Sequence, residues 1–352
     1  MEQFVCRTKI CAGSDALSVL KTLKSQRLLT VTDRFFVQNG TAQRITAMVR
    51  AAQSQIYSDT AADPTLEQVA KGAAVMEAFR PDTVLALGGG SPMDCAKAMV
   101  YCAKTPVELV AIPTTSGTGS EVTSFSIVTH EGVKHPLVDD ALRPSLAILD
   151  DTLLNKLPAP LIADTGFDVL SHCLEALAST KASPLTDALA QSAFATVLRL
   201  LPESYLGSTC VRGQIHLAAT MAGMAFDNAG LGVCHALSHA LGGLYHVPHG
   251  RLNAILLPSV VEYNASATDA YDAVAVRCGL GAPTRKLTLK NLLFALRQLR
   301  RQLKLPATLT EAGVSSVDVQ AVAQAALQDA CIDTNPIRPT KEALIGLVQS
   351  VL

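Results

Sequence analysis

Four of the eight histidines fall between positions 235 and 249, in Cys234-His235-Ala236-Leu237-Ser238-His239 and then His246-Val247-Pro248-His249-Gly250. Upstream, Asp168 and His172 stand four apart in GFDVLSHCLEAL, and His235 and His239 repeat that spacing. On a helix, residues i and i+4 share one face. Imidazole and carboxylate are donors for a borderline divalent cation such as Zn²⁺ or Fe²⁺. Those residue types at that spacing point to a metal centre built from two helices and a turn. The plainer alternative is a set of core histidines, each satisfied by its own hydrogen bond. Four imidazoles beside a paired carboxylate weigh against it. Cys173 and Cys234 each adjoin a candidate ligand, but neighbouring helical side chains diverge by about 100°, so both read as small core residues.

A second constellation suits a nucleotide. Val84-Leu85-Ala86-Leu87 is an apolar strand, followed by Gly88-Gly89-Gly90-Ser91 and a helix starting near Pro92. Glycines let the backbone approach a pyrophosphate, and the helix start offers unpaired N–H groups. Pro92 suits a first helical turn. After the next strand, Val107 to Ile112, comes Pro113-Thr114-Thr115-Ser116-Gly117-Thr118-Gly119-Ser120, rich in hydroxyls and amides. Either loop alone is a weak signal; at successive strand ends they form a plausible dinucleotide crevice. The turn after the first strand, Thr32-Asp33-Arg34-Phe35, is not a G-x-G-x-x-G fingerprint. Asp33 is either an ordinary turn aspartate or the acceptor for a ribose 2′-hydroxyl, favouring NAD over NADP.

These residues need positioning elements. The stretch Arg27 to Thr32 reads as a strand, and Pro64 to Gln68 opens a helix with Thr65 and Gln68 spaced as a capping box. That helix ends at Arg80-Pro81-Asp82. Strands separated by helices argue for a parallel, doubly wound sheet. After Leu149-Asp150 the chain turns rich in Ala and Leu with helical periodicity. The expected organisation is an α/β dinucleotide-binding domain over 1–153 and an all-α, metal-binding catalytic domain over 154–352. A basic helix near Leu289 to Lys304 reads as a packed helix with a solvated face.

With 352 residues and a hydrophobic fraction of 49%, the chain can bury a large core. A formal net charge of −1 gives no bulk attraction for nucleic acid or anionic lipid. No apolar run reaches the roughly 18 residues of a membrane span. The opening MEQFVCRTKI lacks an apolar h-region, and nine scattered cysteines read as reduced thiols. The expectation is a cytoplasmic enzyme with no nucleic-acid or membrane partner.

Five ordered motifs, GGGSPMDCAK (88–97), PTTSGTGSEVT (113–123), GFDVLSH (166–172), CHALSHALGG (234–243) and PHGRLNAILLP (248–258), resemble the iron-containing (group III) alcohol dehydrogenases. The resemblance implies a Rossmann-like N-terminal domain and a helical C-terminal domain, the dehydroquinate synthase-like fold. It puts the metal ligands on Asp168, His172, His235 and His249, with Fe²⁺ or Zn²⁺ as the ion. His239 takes the place of the family's non-ligand active-site histidine. Gly88, Gly89, Gly90, Ser91 and Asp94 fall on the diphosphate loop, Thr114, Thr115 and Thr118 on the second cofactor loop, and Lys134 near the nicotinamide-side ribose. Asp33 falls where an NAD-preferring carboxylate occurs.

Stretches such as SPLTDALA (183–190) are similar to the propanol and ethanol dehydrogenases of the family. That subgroup implies reduction of short-chain aldehydes with NADH to regenerate NAD⁺, beside an aldehyde-producing enzyme or shell in a bacterial microcompartment. A homodimer is implied too, with Phe4 to Ile10 as a strand to pair across it. Arg251 departs from the small or apolar residue usual after Pro-His-Gly, and could meet substrate, cofactor or a partner chain. Alternatives are a dehydroquinate synthase-like or glycerol-1-phosphate dehydrogenase-like enzyme, or a non-catalytic nucleotide-binding scaffold. The first two require several Lys or Arg beside the metal, and the flanks here hold only Arg251.

Overall fold

In the computed structural model, residues 3–61, 64–130 and 133–352 are described (133 by its backbone), and they divide into two compact units. One spans Cys6–Lys156. The other is Leu157–Leu352, joined by the residues up to Val5. Residues 1 and 2 of the opening segment lie outside the described residues.

The first unit holds β1 (Lys9–Ala12), β2 (Lys24–Val31), β3 (Arg50–Tyr57), β4 (Thr83–Gly88), β5 (Glu108–Pro113), β6 (Phe125–His130), β7 (Val133–Val138) and β8 (Leu146–Leu149). Its helices are α1 (Arg34–Gln38), α2 (Thr41–Thr46), α3 (Leu66–Phe79) and α4 (Gly90–Tyr101). Six strands form one parallel sheet in the order β1-β8-β5-β4-β2-β3. Successive side chains of a strand point to opposite faces, and β4 shows the result. Val84 and Ala86 pack with Met76, Met93 and Met99 on one side, Leu85 and Leu87 with Leu20, Ile45 and Val49 on the other. Both faces are covered, so the strand is apolar at every position from Val84 to Leu87 rather than at alternate ones. The remaining pair, β6 and β7, is an antiparallel ribbon that strand–helix alternation does not foretell.

The capping box at the start of α3 is formed, with Thr65 accepting from Gln68 N–H and Gln68 accepting in return. Arg80, at φ +50°, ends the helix in a left-handed turn. Chain order matters most at β2. From β2 the chain steps outward to β3, then returns to lay β4 on the other side of β2, so the direction of winding reverses between β2 and β4. Ligand crevices in open α/β sheets lie at the carboxyl ends beside such a reversal. Asp33 follows β2 there, and the glycine turn follows β4.

Among the described residues of the second unit the regular elements are helical: α5 (Ala159–Ala178), α6 (Pro184–Tyr205), α7 (Arg212–Ala229), α8 (Val233–Tyr245), α9 (His249–Asn264), α10 (Ala270–Arg277), α11 (Arg285–Gln302), α12 (Val319–Ala326) and α13 (Lys341–Gln349). From Gly166 to Ala178, α5 is buried on every side, as expected of a helix enclosed by its neighbours α6, α7 and α9. The basic helix is α11, which buries Leu292, Leu293, Leu296 and Leu299 and leaves its charges outward. None of the described helices is long and apolar enough to cross a membrane. The N-terminal segment departs from expectation. Among its described residues only Lys9–Ala12 is strand, paired to β8 of the same chain, while Val5 exchanges hydrogen bonds with Asn228 of α7 (2.6 and 3.2 Å).

Candidate active site

The second unit brings the candidate ligands together from three helices. Asp168 and His172 sit one turn apart on α5, His235 in the first turn of α8, and His249 is the first residue of α9. From Asp168 Oδ1, Nε2 of His172 lies 3.7 Å away, Nε2 of His235 3.7 Å and Nε2 of His249 3.4 Å. These separations are long for hydrogen bonds. One lies within, and two lie just above, the edge of a tetrahedron around a cation with bonds of roughly 2.0–2.2 Å, which is about 3.3–3.6 Å. Donor atoms of Asp168, His235 and His249 all lie within 4.8 Å of one another. His172 closes the set from the side, its ring stacked on His235 (centroids 4.6 Å apart) and on Phe226 (4.4 Å). Three nitrogens converging on one carboxylate fit a divalent cation better than three separate core histidines.

Helix packing holds this geometry. A Cβ on Gly250 would fall 2.0 Å from the carbonyl oxygen of Asp164, so α9 begins against the backbone of α5 and only glycine admits that approach. Beside it Arg251 donates from Nε and a terminal nitrogen to the two carboxylate oxygens of Asp164 (3.2 and 3.0 Å). Arg251 therefore belongs to the α5–α9 contact within this chain, and its charge is matched by an acid that sequence reading did not link to it.

Two residues that sequence reading missed complete the surroundings. Glu175, 3% exposed on α5, meets Nδ1 of His235 through Oε2 (2.5 Å) and accepts from the Cys234 N–H through Oε1 (2.6 Å). Asn253 of α9 donates from Nδ2 to Asp168 Oδ1 (2.8 Å), and its Oδ1 accepts from the Ser238 hydroxyl (2.5 Å). The signals were present: Glu175 is three residues after His172, and Asn253 is four after His249. Electrostatics follow from the contacts. Burial disfavours the Asp168 anion, but His172, His249 and His235 outweigh it and hold the carboxyl below the usual carboxylate range. For His235, burial alone would depress the imidazolium, yet Glu175 and Asp168 raise it to about 9.

His239 stands one turn after His235, its Nδ1 2.7 Å from Asp329 Oδ2 and its ring stacked on that of His249 at 5.2 Å. His246 is not gathered in; it caps α8 at φ +57° and is exposed.

In the first unit the two candidate cofactor loops meet. Thr114 N–H donates to Gly88 O (2.9 Å). A Cβ on Gly89 would lie 3.3 Å from Thr115 Oγ1, and one on Gly90 2.9 Å from Thr118 Cγ2. Gly88 adopts φ +149°, open to glycine alone. The helix opens at Gly90, two residues before Pro92, with Ser91 in its first turn and no side-chain cap on its N–H groups. Asp94 accepts from the Ser120 hydroxyl (3.1 Å), so it braces α4 against the second loop. Burial pushes its carboxyl up to about 6, against the pull of Lys97 and Lys134. Lys134 lies on β7 opposite Thr129. Lys97, another residue passed over, is fully buried and donates to the carbonyls of Thr123 and Phe125 (both 2.8 Å). Asp33 caps α1 through Oδ1 (3.2 Å from Phe36 N) and lines a cavity of about 470 Å³ with Arg34, Phe35, Asp59, Thr60 and Gln68. Arg34 is paired with Asp59 at 3.1 Å. The cap engages one Asp33 oxygen among the described hydrogen bonds, so a turn role and a ligand role are compatible.

Known proteins match both halves of the chain. The family described as iron-containing alcohol dehydrogenase matches residues 7–151, and the C-terminal family of Fe-containing alcohol dehydrogenases matches residues 162–352. The chain is 40% identical to the 1-propanol dehydrogenase PduQ of Citrobacter freundii, over 100% of both. It superposes with a TM-score of 0.91 and 33% identity on the iron-containing alcohol dehydrogenase of Thermococcus thioreducens, covering 99% of each chain. The sulfoacetaldehyde reductase of Bifidobacterium kashiwanohense, solved in complex with NAD⁺, gives a TM-score of 0.90 at 25% identity, over 100% of this chain and 98% of that one. With both halves matched and a full-length relative at that identity, the chain belongs to the iron-containing alcohol dehydrogenase family and is a metal-dependent, NAD(H)-using alcohol dehydrogenase.

Proposed function

We propose that this enzyme interconverts short-chain aldehydes and primary alcohols, propionaldehyde and 1-propanol or acetaldehyde and ethanol, working mainly as an aldehyde reductase that regenerates NAD⁺. The observation that carries the reading is the convergence of three imidazole nitrogens on Asp168 Oδ1. We read Asp168, His172, His235 and His249 as the ligands of Fe²⁺ or Zn²⁺. When bound, the ion supplies a Lewis acid for the carbonyl oxygen and NADH supplies the hydride.

The protein's own residues orient and exchange protons. Glu175 fixes the ring of His235 through Nδ1, leaving Nε2 turned to the centre. Asn253 aims Asp168 through one N–H. His239 gives or takes the proton of the substrate oxygen. Gly88, Gly89, Gly90 and Ser91, with Thr114, Thr115 and Thr118, receive the cofactor diphosphate; Asp94 and Lys97 brace that loop, Lys134 serves the nearer ribose, and Asp33 selects NAD by accepting from the 2′-hydroxyl. A site for phosphorylated substrates would need free cations near the ligands, and Arg251 is engaged by Asp164.

The subgroup resemblance further supports a homodimer in the cytoplasm, housed in a bacterial microcompartment beside an enzyme that releases the aldehyde.

The test is aldehyde-dependent NADH oxidation by anaerobically purified apo, Fe²⁺-loaded and Zn²⁺-loaded protein, with His235→Ala alongside. Turnover that needs metal and fails in the variant is expected. NADH binding without metal-dependent turnover would turn the reading to a lyase or a scaffold.

A further inference from the structure

His239 is held from 90 residues away in sequence. Asp329 begins the turn Ala330–Thr334, where its Oδ1 accepts from Cys331 N–H (2.8 Å) and its Oδ2 meets Nδ1 of His239 (2.7 Å). Burial works against the Asp329 anion, but the bonds to His239 and Cys331 outweigh it and hold the carboxyl below the usual range. A carboxylate only accepts, so Nδ1 must be the donor. The neutral ring then carries its lone pair on Nε2. The same ring stacks on that of His249, a candidate ligand, with centroids 5.2 Å apart and an interplanar angle of 18°, so the imidazole stands beside the candidate metal centre.

His239, Asp329 and Cys331 also have donor atoms close enough together to invite a second cation. The His239–Asp329 separation argues otherwise: 2.7 Å is a hydrogen bond, shorter than a ligand–ligand edge.

We propose that Asp329 is the positioning residue of the proton relay, fixing His239 as the Nδ1–H tautomer so that Nε2 exchanges the proton of the substrate oxygen. This rests on the role proposed above for His239. In alcohol oxidation Nε2 accepts the hydroxyl proton as hydride leaves the carbon for NAD⁺. In aldehyde reduction the imidazolium returns that proton from Nε2 to the oxygen as NADH delivers hydride to the carbon. Both directions balance.

The experiment compares Zn²⁺-loaded full-length wild type, Asp329→Asn and Asp329→Glu, using ¹⁵N-histidine NMR with His239→Gln to assign the resonance. Zinc is chosen because it is diamagnetic. Wild type should show Nδ1 protonated and Nε2 bare. In Asp329→Asn the amide can donate to Nδ1, and the tautomer should reverse. In that variant kcat should fall about 10²- to 10⁴-fold, KM and NADH affinity should stay within about threefold, and metal content should hold, with partial rescue by Asp329→Glu. Loss of metal or of NADH binding in step with kcat would mark a merely structural role and overturn the proposal. So would an unchanged tautomer, kcat within about threefold of wild type, or a second bound zinc that Cys331→Ser removes. If wild type reduces no aldehyde with any metal, the functional reading fails, and the tautomer still decides whether Asp329 sets His239.

Discussion

At Glu175 one buried carboxylate ties the backbone of α8 to α5 and orients the imidazole of His235. Exchange for glutamine keeps the shape but presents an amide N–H to Nδ1, which favours the wrong tautomer for a ligand at Nε2. Outer partners of this kind are worth about 10–100-fold in metal affinity. Glu175→Gln should weaken metal binding by that factor, as read by competition with a chromogenic chelator, and an unchanged affinity would remove Glu175 from the centre. The candidate ligands were legible because His and Asp at helical spacing are rare by chance. Glu175, Asn253 and Asp329 were not, since Glu, Asn and Asp are ordinary surface residues until folding shows what they face. Arg251 stood out in the sequence, but its pairing with Asp164 did not. Its partner lies 87 residues upstream, and no local pattern links them.

Elements were legible in proportion to how local their signals are. The capping box of α3 and the apolar run of β4 announce themselves within a few residues. The ribbon of β6 and β7 carries no Asn-Gly or Asp-Gly signal, and Lys134 could be placed only loosely before its register with Thr129 was known. The union of α4 with the second loop also depends on tertiary contact, and its titration tests it. Burial raises the Asp94 carboxyl from 3.8 to about 6, so the fold favours the protonated form. That contribution is fully present below pH 3.8 and is lost as pH rises through about 6. Against Asp94→Asn, wild type should therefore lose up to about 3 kcal/mol of stability between pH of about 4 and about 7, then stay level. Denaturant melts across that range decide it; parallel curves would mean that Asp94 is solvated.

For the whole molecule, the candidate chemistry is divided by unit: metal donors within Leu157–Leu352, cofactor loops within Cys6–Lys156. Each ligand should therefore leave its own imprint on amide hydrogen exchange. Metal added to apo protein should slow exchange in α5, α8 and the first turn of α9, by as much as about 2.7 kcal/mol at a hundredfold excess over Kd. NADH should slow the turns after β2, β4 and β5. Metal-induced protection centred on the parallel sheet would contradict the assignment. The sequence changes texture near residue 150, because strand-rich and helix-rich packing draw on different residues.

The candidate ligands are also buried to very different depths. The side chains of Asp168 and His172 are 5% exposed and that of His235 is 1%, while His249 keeps 27%. If these four residues hold the ion, His249 is the donor that solvent reaches most readily. Retention of the ion would then rest on the seating of a single helix end, which Gly250 and the Arg251–Asp164 pair hold against α5.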